Sequence, residues 1–247
     1  MYDSIRNVKT LQISISAIER LGKTYASAAS EIKLQMNPRR LYFHNKEKKL
    51  ELLYVHNTNS NKALVKPNHI PNINLDPTGN MMRKNQHYTI HELGFDFIGR
   101  SIALTLSKDK EGLKNLVVKG KVKKFNYNCY LLQYENPAYA YVEYTVGDKE
   151  TASSIAAKLT VNDYLLKYKN DLLNDFGYLK KGKKILVPNL YCKKAVLFID
   201  EKLMLPVSVS LYDDQGLFES YEYPSMTINP IFTEADFNKD NKAYGFR

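Results

Sequence analysis

The chain has 247 residues, a formal net charge of +10, 44% hydrophobic residues, 19 tyrosines and no tryptophan. That apolar content is enough for one large core, or a large core with a satellite, and it excludes a disordered chain. No apolar run approaches the roughly 20 residues that cross a bilayer as a helix. Two cysteines without a CxxC spacing exclude a disulfide framework.

At the start, Met1-Tyr2-Asp3-Ser4-Ile5 leads straight into patterned sequence with no basic or apolar leader region, so the chain as given reads as lacking a secretory signal. Leu11 to Ser16 alternates apolar and polar residues with period two, which predicts a strand with one buried face. Glu31 to Met36 alternates in the same way and stops at Asn37-Pro38, where proline removes a ladder donor. Leu41 to His44 and Leu50 to Val55 add two strands about the charged turn Asn45 to Lys49, giving an antiparallel meander. From Lys66 to Asn85 the residues are those of turns, with Pro67, Pro71, Pro77 and Gly79, and predict a long loop.

Phe95, Ile98, Ile102 and Leu106 fall at helical spacing and predict an amphipathic helix over Phe95 to Leu106. Strands are expected at Leu116 to Val118 and Tyr127 to Tyr134, then again at Ala195 to Ile199, Pro206 to Tyr212 and Leu217 to Tyr223. Asp213 to Gly216 carries hairpin chemistry between the last two. Phe232 to Arg247 reads as an extended polar tail with isolated aromatics.

No catalytic constellation emerges. His87 and His91 stand four apart, but there is no HExxH and no third ligand, so both read as hydrogen-bonded loop residues and no metal is expected. Neither GxSxG nor a glycine-rich phosphate loop is present, so no catalytic residue and no cofactor is assigned. Glu219 and Glu222 read as solvated carboxylates on a hairpin strand. Cys129 and Cys192 flank the segment between the two sets of strands. They are open to one bridge or to two free thiols, and the free thiols are preferred. Lysines gather in Lys108 to Lys124 and Lys180 to Lys194, which suits any polyanion or simply a solvated face. Nucleic acid is not expected, because no aromatic and basic interleaving accompanies them.

Between the two sets of strands, Tyr144-Thr145-Val146-Gly147-Asp148 gives a strand and a turn. Thr151 caps a helix containing the apolar pair Ile155 and Leu159, and Asn162 or Asp163 caps a second helix running to Leu172. Gly177 to Pro188 then supplies a turn and a closing strand. This βααβ order resembles the LysM family through Tyr144, Val146, Gly147, Asp148, Thr151, Ile155, Ala156, Leu165, Leu179, Lys180, Gly182, Ile185, Val187 and Pro188. Two departures stand out: Lys149 and Glu150 stretch the Gly-Asp-Thr motif, and the asparagine of the second helix is displaced to Asn170. The resemblance implies a shallow groove for N-acetylglucosamine polymers such as peptidoglycan, formed by Gly147, Asp148, Thr151, Gly177, Tyr178, Leu179 and Lys180, with Tyr178 offering an apolar surface to a sugar ring.

The remaining strands resemble the LolA-like lipoprotein carriers. The resemblance rests on Lys33 to Leu41, Leu53-Tyr54-Val55, Lys62 to Val65, Leu75-Asp76-Pro77 to Met82-Arg83, Phe198 to Val207, Tyr212 to Tyr223, Ile228-Asn229-Pro230 and Asp236-Phe237, whose order is similar to an uncharacterised family of envelope proteins that combine a LolA-like sheet with a LysM-like segment. It implies an α+β fold, a strongly curved antiparallel half barrel closed by helices. It divides the chain into a discontinuous domain of residues 1–140 and 191–247 and a LysM-like insert of residues 141–190. An apolar cavity for an acyl chain is then expected from Leu11, Ile13, Ile15, Ile32, Leu34, Met36, Phe95, Ile98 and Ile102, where each buried methylene contributes about 0.8 kcal/mol. Together these features imply a non-enzymatic binding protein of the periplasm or another extracytoplasmic space, holding an acyl chain, a lipoprotein or an envelope protein partner. The alternative is a structural subunit of an envelope complex that uses both modules as protein-interaction surfaces.

Overall fold

The structure is a computed structural model that describes residues 1–108 and 114–246, so the part of the first lysine-rich stretch at residues 109–113, and Arg247, lie outside the described residues. A short helix α1 (Tyr2–Arg6) precedes six strands: β1 (Thr10–Leu21), β2 (Thr24–Gln35), β3 (Arg40–Asn45), β4 (Leu50–Val55), β5 (Ala63–Lys66) and β6 (Ile73–Leu75). Next come α2 (Asn80–Arg83), α3 (Phe95–Lys108), β7 (Leu116–Lys124) and β8 (Tyr127–Glu135). A βααβ unit follows: β9 (Tyr141–Thr145), α4 (Ala152–Leu159), α5 (Asp163–Lys169) and β10 (Lys184–Pro188). The chain returns with β11 (Lys194–Asp200), β12 (Pro206–Asp213) and β13 (Gly216–Ile228).

Eleven strands form one antiparallel sheet in the order β6-β5-β4-β3-β2-β1-β13-β12-β11-β8-β7. The seam between the two halves of the chain is β1 against β13, with Leu11 opposite Ile228 and Glu19 opposite Glu219. Ten strand spacings would make a flat sheet about 48 Å wide, whereas the 14 residues of α3 are about 21 Å long. Yet Ile98 of α3 packs both on the core of β1 to β5, with Leu11, Ile13, Ile32 and Leu34, and on the core of β8, β11 and β12, with Leu197, Ile199 and Val209. The sheet therefore curls around the helix, and register shifts in four of its ladders help it bend. Close docking of α3 depends on Gly94: its φ is +108°, and a Cβ there would come within 3.0 Å of the Met36 side chain and 3.1 Å of Leu34.

The hairpin of β1 and β2 is longer than the alternation predicts, running to Leu21 opposite Thr24 around Gly22, whose φ is +64°. Within the expected loop, β6 pairs with β5 and α2 forms one turn. The C-terminal residues do not trail as a tail. Phe237, Tyr244 and Phe246 are buried on the outer face of the sheet with Tyr42 and Leu53. The rings of Tyr244 and Tyr42 stack at 3.7 Å, because those strand positions point outward and leave apolar surface that this segment covers.

The βααβ unit pairs β9 with β10 and has its own core, which includes Val146, Ile155, Ala156, Leu166, Leu172, Leu179 and Ile185. Thr151 caps α4 through a capping box with Ser154, and the Asn162 side chain caps α5 by accepting from the Leu165 amide. Asn170 ties α5 to β10: its amide donates to the Leu186 carbonyl at 2.7 Å and accepts from the Leu186 amide at 2.8 Å. Tyr164 and Leu165 of α5 pack on Phe218 of β13, which joins the unit to the large sheet.

Candidate functional site

The nine residues expected to line an acyl cavity gather on the inner face of the sheet under α3. Leu11, Ile13, Ile32, Leu34 and Phe95 are buried; Ile15, Met36, Ile98 and Ile102 are half-buried. Two small apolar spaces interrupt this face. One, of about 40 Å³, is bounded by Ile13, Ile15, Ile32, Leu34 and Ile98 with Tyr88 and Tyr223. The other, of about 60 Å³, is bounded by Ile98, Ile102, Leu197, Val209 and Tyr191, again with Tyr88. The larger has the volume of about two waters. Leu11, Met36 and Phe95 line neither; Leu11 and Phe95 belong to the sealed core, and Met36 is half-buried at its edge. Cys192 borders the larger space as a free, buried thiol, and Cys129 is free and buried as well.

Beside these spaces lies a buried polar network that the sequence does not reveal. Glu219, expected to be solvated, is 0% exposed. Its carboxylate accepts from Tyr88 Oη, from His87 Nδ1 at 2.7 Å and from Tyr221 Oη at 3.4 Å. The second ring nitrogen of His87 lies 3.0 Å from the Arg20 carbonyl. Both nitrogens thus face acceptors, and only a doubly protonated imidazolium satisfies both. Burial pulls the pKa of His87 down, but the hydrogen bond and charge of Glu219 outweigh it, and the net direction is up. Burial also raises the hydroxyls of Tyr88, Tyr191 and Tyr221 and the carboxyl of Glu19, which accepts from Tyr221 Oη at 2.6 Å. The His87 ring is held between Phe218 and Tyr164, with centroids at 4.2 Å and 4.7 Å. His91 meets Tyr54 edge-on instead, and no cluster of three potential metal ligands occurs among the described residues.

A groove of about 680 Å³ separates the βααβ unit from α3 and the loop before it. Ser153, Ala157 and Asn162 form the unit's wall; Arg83, Tyr88, Glu92, Arg100 and Ala103 form the other. Arg83 spans the two, paired with Asp163 and donating to Ser153 Oγ at 2.7 Å. The groove was not legible in the sequence, because its walls are at least 50 residues apart in the chain.

The residues expected to bind sugar come together at one end of the antiparallel pair of β9 and β10, where β9 finishes and β10 begins. Thr151 and Tyr178 form a backbone bridge, and the Leu179 amide donates to the Glu150 carbonyl at 2.8 Å. Tyr178 is 73% exposed, while Asp148, Gly177 and Lys180 are also on the surface. The Leu179 side chain is buried in the unit's core and offers no groove surface. Glu150, one of the two residues that stretch the motif, folds back to accept from the Gly147 amide at 2.7 Å and from Tyr144 Oη at 2.8 Å. The Gly147 amide, Lys158 and Tyr144 together hold the Glu150 carboxyl below the usual range. The Gly147 amide is therefore already satisfied within the chain.

No described helix is long and apolar enough to cross a membrane. Among curated proteins no sequence matches this chain. Among solved structures it is similar to MucB of Pseudomonas aeruginosa, in its complex with MucA, at TM-score 0.43 and 8% identity over 96% of this chain. The chain spans 60% of the length of that protein. It is also similar to the lipoprotein LppX of Mycobacterium tuberculosis (TM-score 0.41, 12% identity, 93% of this chain and 92% of that one). A LolA superfamily protein from Nitrosomonas europaea is similar at TM-score 0.37 and 8% identity, covering 97% and 96% of the two chains. A family model matches residues 8–147 and 186–246 and passes over the residues between, which hold α4, α5 and their loops. The chain belongs to that family, described as a protein family of unknown function, DUF1571.

Proposed function

We propose that the chain is a non-enzymatic, extracytoplasmic binding protein whose curled, LolA-like sheet holds an acyl chain of a lipid or lipoprotein under α3. The observation that carries this reading is the inner face itself, where Ile13, Ile15, Ile32, Leu34, Ile98 and Ile102 bound apolar spaces free of charged side chains except Glu92 at one margin. As they stand the two spaces admit only a few methylenes, so the face opens to take an acyl chain; ten methylenes moved from water onto it contribute about 8 kcal/mol toward that opening and toward binding, with no catalytic chemistry required. Native mass spectrometry of the purified full chain tests it. A lipid mass that co-purifies, and is lost in an Ile98→Asp variant that remains folded, is the expected result. A bare chain that also fails to take up a fluorescent fatty acid refutes the reading.

A second reading, compatible with the first, gives the βααβ unit a LysM-like contact with N-acetylglucosamine polymers of peptidoglycan. Tyr178 favours it, since an aromatic ring 73% exposed beside the Thr151 bridge supplies a stacking surface that the unit's own core does not use. Pull-down on purified peptidoglycan is expected to weaken in Tyr178→Ala and Asp148→Ala. Retention unchanged in both would remove the groove assignment and leave the unit as a protein-interaction surface of an envelope complex.

A further inference from the structure

The groove beside the βααβ unit and the two apolar spaces under α3 are neighbours through one side chain. Tyr88 borders all three; Glu92 borders the groove and the smaller space, and Ile98 divides the two spaces from each other. Building on the acyl-binding reading, we propose that the groove is the headgroup site of a two-chain anionic glycerophospholipid, whose chains pass Tyr88 and diverge on either side of Ile98.

The order and chemistry of the three compartments favour this ligand class, and the two apolar spaces, at about 60 and 40 Å³, widen to admit the chains. At about 680 Å³ the groove has the volume of a small-molecule site, while the spaces beyond it are narrow and apolar. Besides His87, which is held by Glu219, the groove carries two arginines and two carboxylates, Arg83, Arg100, Glu92 and Asp163. Three of these are engaged within the chain. Arg83 pairs with Asp163, and Glu92 accepts from the amide and hydroxyl of Thr89 at 2.7 Å and 2.9 Å. Arg100 is exposed and has no ion pair among the described residues, so its guanidinium is free for a phosphate, which it matches in geometry.

Two orphaned atoms specify more of the molecule. Asp163 Oδ1 is buried with no donor, and a hydroxyl on the head, as in a phosphoglycerol group, supplies one. Ser101 Oγ is buried with no partner on the wall of the larger apolar space, where an acyl ester carbonyl accepts from it. A buried polar atom left without a partner costs about 1–3 kcal/mol, so filling both favours a ligand that carries both groups.

Binding of dioctanoyl phosphatidylglycerol and dioctanoyl phosphatidylcholine to the full chain, measured by calorimetry below their aggregation concentrations, tests the assignment. The wild type is expected to prefer the phosphatidylglycerol about tenfold, because both lipids offer Arg100 a phosphate but only phosphatidylglycerol brings a head hydroxyl to Asp163 Oδ1 and no quaternary ammonium to offset the phosphate charge. Arg100→Glu abolishes the preference and Arg100→Lys restores part of it. Ala157→Trp, at an exposed position on the unit's wall, weakens both lipids by narrowing the groove, and Ser101→Ala weakens both several-fold without lowering stability. If the wild type binds neither lipid, the acyl-binding reading itself fails. If it binds both equally and neither Arg100→Glu nor Ala157→Trp changes this, the chains are held but the headgroup assignment is overturned.

Discussion

Replacing Glu219 by alanine removes the acceptor on which Tyr88, His87 and Tyr221 converge, at a position with 0% exposure. An imidazolium left in the core without its carboxylate costs about 3–5 kcal/mol. With a urea dependence near 2 kcal/mol/M, the unfolding midpoint should fall by roughly 2 M. Glu219→Gln keeps the volume and part of the hydrogen bonding, and its cost should be smaller, about 1–2 kcal/mol. The pH profile adds an independent reading. Because the folded pKa of His87 lies above its unfolded value near 6.5, the native state binds more protons over that window. The stabilisation is complete below pH 6.5 and is lost as pH rises through the folded pKa, so wild-type stability should decline there while Glu219→Gln declines less. A loss below 1 kcal/mol in Glu219→Ala, or identical pH profiles for wild type and Glu219→Gln, would refute the assignment of a charged buried pair.

Other consequences can be measured separately. Asn170→Ala breaks the paired contact with Leu186 and should lower stability by about 1–3 kcal/mol, with faster amide exchange in the βααβ unit and little change in β1 to β5. Burial pushes the Cys192 thiol up to about 12 and raises Cys129 too, so neither should react with a thiol reagent at pH 8 until the protein is unfolded; rapid native labelling of Cys192 would contradict its enclosure. Tyr244→Ala loses the stack on Tyr42 and opens the outer core, at a cost of about 3 kcal/mol seen as a lower melting temperature.

The legible parts of the fold were those where one face of a strand is wet. Leu11 to Ser16 shows its partition by alternation, and its strand is where the spacing placed it. The next stretch, Ala17 to Leu21 against Thr24 to Ala28, is built of small and mixed residues whose faces do not differ in hydrophobicity, so its pairing had no signature. The long helix was visible from Phe95, Ile98 and Ile102 because a single apolar stripe needs no knowledge of the partner. Glu219 failed for the opposite reason. It sits in a readable strand, but its environment is made by His87 and Tyr88, which precede it by 132 and 131 residues. The same holds for the aromatic C-terminal segment, whose docking face on Tyr42 and Leu53 lies near the other end of the chain. Local patterning reports a segment's own two faces and is silent on which distant surface covers them.

The polar network also explains why the βααβ unit is not simply tethered at its two connections. From the unit inward, Asn162 donates to Tyr191 Oη, Tyr191 shares a hydrogen bond of 2.6 Å with Tyr88, and Tyr88 donates to Glu219 on β13. The residue that caps α5 is thus connected by three side-chain hydrogen bonds to the carboxylate at the seam of the large sheet. The side chain at the middle of that chain, Tyr88, is the one that divides the groove from the apolar spaces. Moving Tyr88 to admit a chain of methylenes breaks its bonds to Tyr191 and Glu219 together, so the position of the unit and access to the inner face are physically coupled. Tyr88→Phe separates the two effects, since it keeps the ring as a partition and removes only the hydroxyl that anchors it. Its expected outcome is faster uptake of a short-chain lipid with little change in equilibrium capacity, read by stopped-flow fluorescence; uptake no faster than wild type would mean that the anchor does not limit access.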